Sequence, residues 1–372
     1  NITGNNNAGL FGYTDGANIN NVTLVGGSIS GGTNVGAVVG SANNTTISNV
    51  VNSAAVTGGT NVGGIVGSAT ATTVENAINT GAVSGSEENV GGLIGSMTGT
   101  ITNGESDSKL IGNSYNLGNV GGVDENGNNT IYASNVGGLV GHAVNSAIGD
   151  GTNLVYNRLD VTGEYNVGGI VGNMEGSTVK NAENSATVTA TGNTTETYEY
   201  HTANGGTHVE SVSVNIANVG GIAGTSSGTS TIKDVTNSGD VSSAESTYTQ
   251  YDSDHTFYTA GNVGGIVGSA VDTNITNATN QENDVRGAHN VGGVAGYFGG
   301  TGTVNGGINN GGDIMATGAR DADGFVTETV RPVSGNEHFI IGNIGGIVGY
   351  LDGDGVKVTG SANRGTVHSQ DI

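Results

Sequence analysis

The stretch NVGGIVGSATATTVENAINTGAV, residues 61–83, decides the fold. Its opening heptad, Asn61-Val62-Gly63-Gly64-Ile65-Val66-Gly67, returns with small changes from Asn34, Asn89, Asn135, Asn166, Asn218, Asn262, Asn290 and Asn343. A worn copy, NAGLFG, ends at Gly12, and Ala37 stands for the second glycine in the Asn34 copy. Uninterrupted copies are 27, 28 and 28 residues apart (Asn34 to Asn61, Asn61 to Asn89, Asn262 to Asn290). A second element follows the heptad: TTISNVVNSAAV ending at Val56, TTVENAINTGAV at Val83, STVKNAENSATV at Val188, STIKDVTNSGDV at Val241 and VKVTGSANRGTV at Val367. Its frame is [IV]-x-x-x-x-N-x-x-x-V.

Each unit therefore holds three short apolar strands: the heptad, the first half of the frame and its last half. Strands this short alternate inward and outward and bury no apolar face alone. Stacking the units, so that each strand pairs with its own copy in the next, solves burial and backbone hydrogen bonding together. The expected architecture is all-β: a parallel β-helix of about ten three-strand coils, right-handed by preference. At about 4.8 Å per coil it forms a rod about 50 Å tall. A β-propeller is disfavoured, because a blade needs roughly 40–50 residues and four strands.

Composition agrees. The chain has 71 Gly, one Pro, no Trp and no Cys in 372 residues. An interior glycine costs a helix about 1 kcal/mol relative to alanine, so helices are disfavoured throughout. Disorder, the competing reading of a chain with 11% charged residues, does not account for so regular a repeat. The asparagines acquire a reason: Asn52, Asn79, Asn184, Asn237 and Asn363 share one frame position, and Asn61, Asn89, Asn166 and Asn262 another. Stacking makes ladders of them, and asparagine also tolerates left-handed backbone at corners.

Nine Lys and Arg against 32 Asp and Glu give a formal charge of −23. Nine cations spread along the chain do not neutralise a run of phosphates, so no nucleic-acid partner is expected, and attraction to anionic lipid fails for the same reason. No apolar run reaches membrane-spanning length, so no membrane insertion is expected. The chain starts and stops inside the repeat pattern, which reads as a piece of a longer exported polypeptide.

NVGGIVGSA followed by TTVENAINTGAVSG resembles the GLUG-motif repeats of filamentous-haemagglutinin-like adhesins, autotransporter-type passengers and the N-terminal regions of some IgA-cleaving metallopeptidases. The resemblance covers nearly the whole chain. It implies a secreted or cell-surface rod, bacterial in origin, that binds a protein or glycan of a host or neighbouring cell. It brings no catalytic residues with it, and there is no HExxH zinc motif here. The expected function is thus non-enzymatic adhesion. A structural subunit that stacks with copies of itself through open β edges is the alternative, and a carbohydrate-active β-helix enzyme the third.

Four coils lengthen the link between the frame and the next heptad, giving insertions at 121–134, 189–217, 242–261 and 315–342 of the single repeat domain 1–372. Insertions at one corner emerge on one side of a rod. The last three are expected to be hairpins and hold eight of the 17 aromatic residues. Tyr198, Tyr200, His201, Tyr248, Tyr251, Phe257, Tyr258, Phe325 and Phe339 are therefore the candidate binding residues, since aromatics give large contact area at low entropy cost. The plain reading stands level with it: the aromatics pin the arms to the rod or to each other, which suits the inward-facing ones best.

Chemistry is sparse. Asp252, Asp254 and His255 in YDSDH and Asp321 and Asp323 in RDADG are the best carboxylate clusters, but solvated turn residues explain them more simply. No cofactor is expected. Calcium is the one candidate ion, at oxygen-rich loops built on Asp124 and Asn126, Asp252 and Asp254, Asp321 and Asp323, and Asp352 and Asp354. None completes an EF-hand. A histidine site from His201, His208 and His255 is weaker still.

Overall fold

A computed structural model describes residues 1–121, 133–201, 207–244, 246–248, 261–316, 319–320 and 343–369. Within them every regular element is a strand, and the strands stack as a parallel β-solenoid. One coil shows the path. Asn166–Gly168 lies in sheet 3, Val171–Glu175 in sheet 1, Thr178–Asn184 in sheet 2, and Val188–Ala190 returns to sheet 3. Sheet 1 has ten strands, one per coil, with no break in the column.

The heptad differs from expectation. It is not one strand but two half-strands in different sheets, with the corner at its two central glycines. A Cβ on Gly168 would meet the Val171 carbonyl oxygen at 1.9 Å, and one on Gly169 the Gly221 oxygen at 2.2 Å. In this coil no other residue makes that turn without moving the backbone. Sheet 3 therefore carries two strand columns, one from the end of the frame and one from the start of the heptad. In regular coils they run through as single strands, such as Ala55–Gly63 and Val83–Gly91.

The core is divided accordingly. One cluster fills the space between sheets 1 and 2, with Ile170, Val171, Met174 and Val179 from this coil. A second joins the two columns of sheet 3 through Val161, Val167, Val188 and Ala190. Between them lies a polar waist. A Cβ on Gly169 would sit 2.3 Å from Asn184 Cγ, and the same glycine–asparagine contact recurs at Gly64 and Asn79, Gly92 and Asn116, and Gly221 and Asn237.

Asparagine does two jobs. In the middle of the sheet 2 strands, Asn21, Asn49, Asn76, Asn181, Asp234 and Asn277 take φ between 50 and 56°. Such residues tolerate the left-handed region best after glycine, and they kink each strand at one level. The other job is laddering, described below.

All four long insertions leave sheet 3 between its two columns, after Gly121, Ala190, Ser243 and Ala316. The exit is a bend within one sheet rather than a corner between faces. The coil strands run about two residues further than the expected boundaries. A short hairpin absent from the sequence reading, Ile101–Thr102 with Glu105–Ser106, leaves instead between sheets 1 and 2.

Candidate functional site

The first long arm is a hairpin: Asn193–His201 pairs antiparallel with Thr207–Asn215, from Asn193 opposite Asn215 to His201 opposite Thr207. Ser246–Tyr248 of the next arm pairs with it, setting Tyr248 opposite Val212, and Ala319–Arg320 of the last arm pairs with Ser246 and Thr247. Three arms from separate coils thus build one four-stranded side sheet. In that register Tyr198 lies opposite Glu210 and Tyr200 opposite His208. Tyr251, Phe257, Tyr258, Phe325 and Phe339 lie outside the described residues, as do Asp124, Asn126, Asp252, Asp254, Asp321 and Asp323.

Asp352 and Asp354 are described and exposed. Asp352 accepts a hydrogen bond from the Tyr297 hydroxyl at 3.1 Å. Among the described residues no three His, Asp or Glu side chains gather as a metal set.

Two asparagine ladders run along the rod, the inner one starting at Asn52, above Leu24. The inner one joins Asn52, Asn79, Asn116, Asn157, Asn184, Asn237, Asn280, Asn309 and Asn363 by Nδ2–H to Oδ1 bonds of 2.7–3.0 Å. The outer one joins Asn7, Asn34, Asn61, Asn89, Asn135, Asn166, Asn218, Asn262, Asn290 and Asn343, also at 2.7–3.0 Å. Donation runs toward the C-terminal coils in the inner ladder and toward the N-terminal coils in the outer.

The outer face of sheet 2 carries what the sequence reading missed. All four lysines of the chain, Lys109, Lys180, Lys233 and Lys357, lie in its strands. Strand register aligns Lys180 directly with Lys233. Tyr115 and Tyr156 stack with centroids 4.6 Å apart and planes 6° apart, and the Arg158 guanidinium lies 4.5 Å from the Tyr156 ring centre. Desolvation first, then the neighbouring Tyr115, pushes the Tyr156 phenol above its ordinary pKa. The signal was present in the sequence: each tyrosine directly precedes a ladder asparagine, Asn116 or Asn157.

The short hairpin forms one wall of a cleft of about 280 Å³, lined by Lys109, Lys180, Glu105, Asp150 and Ile101 among others. Lys109 Nζ lies 3.0 Å from Glu105 Oε2. The Lys109 hydrogen bond, then its charge, with Lys180 adding to it, holds the Glu105 carboxyl below its ordinary pKa. Asp150 accepts hydrogen bonds from the backbone N–H of Thr152 (2.6 Å) and Asn153 (2.8 Å), which lower its pKa.

These features define the class of protein: a parallel β-solenoid with side arms gathered on one sheet. No family model, curated protein or solved structure matches the chain. Among the described residues no helix is long and apolar enough to cross a membrane.

Proposed function

We propose that the chain is the repeat region of an extracellular, non-enzymatic adhesin, a rod on the surface of a bacterium that holds its recognition elements on one side. Its partner is a protein or glycan on a host or neighbouring cell, and its relatives are the GLUG-motif repeat proteins. The observation that carries this reading is the side sheet: arms from three separate coils leave at the same place and pair with one another. A loop that only tolerated drift would not recur at one exit and join a common sheet. Tyr198, Tyr200 and Tyr248 lie in its strands, and tyrosine is a residue type that supplies large contact area at low entropy cost.

The test is to replace 191–217 with a short link like that between Val56 and Asn61, and separately to change Tyr198, Tyr200 and Tyr248 to alanine. Circular dichroism should still report a folded rod. Binding to host cells or a glycan array should fall at least tenfold. Undiminished binding by the folded arm-less rod would refute the reading.

A further inference from the structure

We propose that the cleft beside the short hairpin binds an acidic sugar unit, with its carboxylate between Lys109 and Lys180. This site is separate from the arms and does not depend on their role. A cleft of about 280 Å³ sits at the small end of ligand pockets, suited to a single small polar unit.

Charge makes the case for an anion. Over the whole chain acids outnumber bases 32 to 9, so most of the surface repels anions. Here two of the four lysines converge. They come from sheet 2 strands two coils apart: Lys109 aligns with Ala147 and Ala147 with Thr178, two residues before Lys180. Lys180 makes no ion pair within 4 Å among the described residues. Lys233 sits beside it on the next rung.

The two resident carboxylates do not fill the role. Asp150 is tied into its own turn by the backbone of Thr152 and Asn153. The Glu105 side chain is 78% exposed, and an exposed pair such as Glu105–Lys109 contributes only ~0–1 kcal/mol, so an incoming carboxylate displaces it at little cost. The ligand carboxylate then takes charge-assisted hydrogen bonds from both ammonium groups. The rest of the lining favours a sugar over a peptide. Thr178 brings a hydroxyl and Gly104, Gly149 and Gly176 backbone groups to a hydroxyl-rich ring, and Ile101, 48% exposed, offers an apolar wall to its C–H face.

Isothermal titration of the whole chain tests this with three probes: a galacturonate oligomer, its uncharged methyl ester, and an oligo-aspartate peptide of equal charge. The galacturonate oligomer should bind, and Lys109→Gln and Lys180→Gln should each weaken it about tenfold or more. The methyl ester should bind at least tenfold more weakly. Lys357→Gln, on the same face but outside the cleft, should change nothing. Melting temperatures should match wild type, because the ammonium groups changed support no core contact. Unchanged affinity in both lysine variants, or equal binding of the ester, would overturn the proposal. Tighter binding of oligo-aspartate would overturn the assignment of the ligand as a sugar.

Discussion

The inner and outer asparagine ladders are built from the same residue at the same coil spacing, yet their surroundings differ. In the inner ladder Asn184 is fully buried and makes four hydrogen bonds. It donates to Asn237 (2.8 Å) and to the Ala186 carbonyl (2.9 Å), and accepts from Asn157 (3.0 Å) and the Ala186 N–H (3.4 Å). That is the full capacity of a side-chain amide. In the outer ladder Asn166 is partly exposed, donates to Asn135 (2.8 Å) and accepts from Asn218 (3.0 Å). Water can replace those bonds. A buried, saturated ladder fixes how coils sit on one another, while a half-wet one adds to a register already set.

The sharpest way to break the contrast is Gly169→Ala. Its Cβ would enter the space of Asn184 Cγ and the Gly221 oxygen, both within 2.3 Å. A cost of about 3 kcal/mol or more is expected, read as a lower urea midpoint with faster amide exchange in the adjoining coils. Ala37 shows where that rule relaxes. It belongs to the coil of Asn52, the first member of the inner ladder, whose register partner below is Leu24 rather than another asparagine.

Asn184→Ala comes next. It takes one hydrogen bond each from Asn157 Nδ2, Asn237 Oδ1 and the Ala186 N–H and carbonyl in the dry waist, at about 2–3 kcal/mol. The same change at Asn166 should cost about 1 kcal/mol in the same urea experiment. If the two asparagines cost the same, burial does not separate the ladders.

The smallest effect concerns pH. His142 lies in the outward column of sheet 1 between Ser96 and Asn173. Desolvation lowers its pKa below 6.5, against the opposing pull of Glu175 and Glu88. Above that value the ring is neutral in both folded and unfolded chains. As pH falls through it the unfolded chain takes the proton first, so stability declines until the folded pKa is passed. His142→Ser should flatten that part of the urea midpoint against pH, and an unchanged slope would assign it to other groups.

Much of this could be read from residue order, and the reason is physical. Parallel stacking needs in-register copies, so the fold writes itself into the chain as a period. What residue order does not show sits where local irregularity hides the period. Asn116 follows a frame stretched by Gly112–Ser114, and Asn157 one interrupted at Gly149–Leu154, so neither matched the spacing of Asn79 or Asn184. The heptad looked like one strand because nothing in its apolar pattern marks a corner. The lysines looked dispersed because only register brings positions 109, 180, 233 and 357 to one face. The side sheet was legible as far as its first hairpin, whereas its strand from 319–320 pairs with an arm that leaves two coils earlier.

A distance between two spin labels tests the stacking most directly, and a chain without cysteine makes the labelling clean. Ser68 and Ser269 point outward from the same column of sheet 1, five rungs apart through Ser96, His142, Asn173 and Thr225. Labels at Ser68→Cys and Ser269→Cys should give one narrow peak near a separation of about 24 Å, and moving the first label to Ser41→Cys should lengthen it by about 4.8 Å. A broad distribution, or a separation that does not grow by one rung, would contradict coil-on-coil stacking.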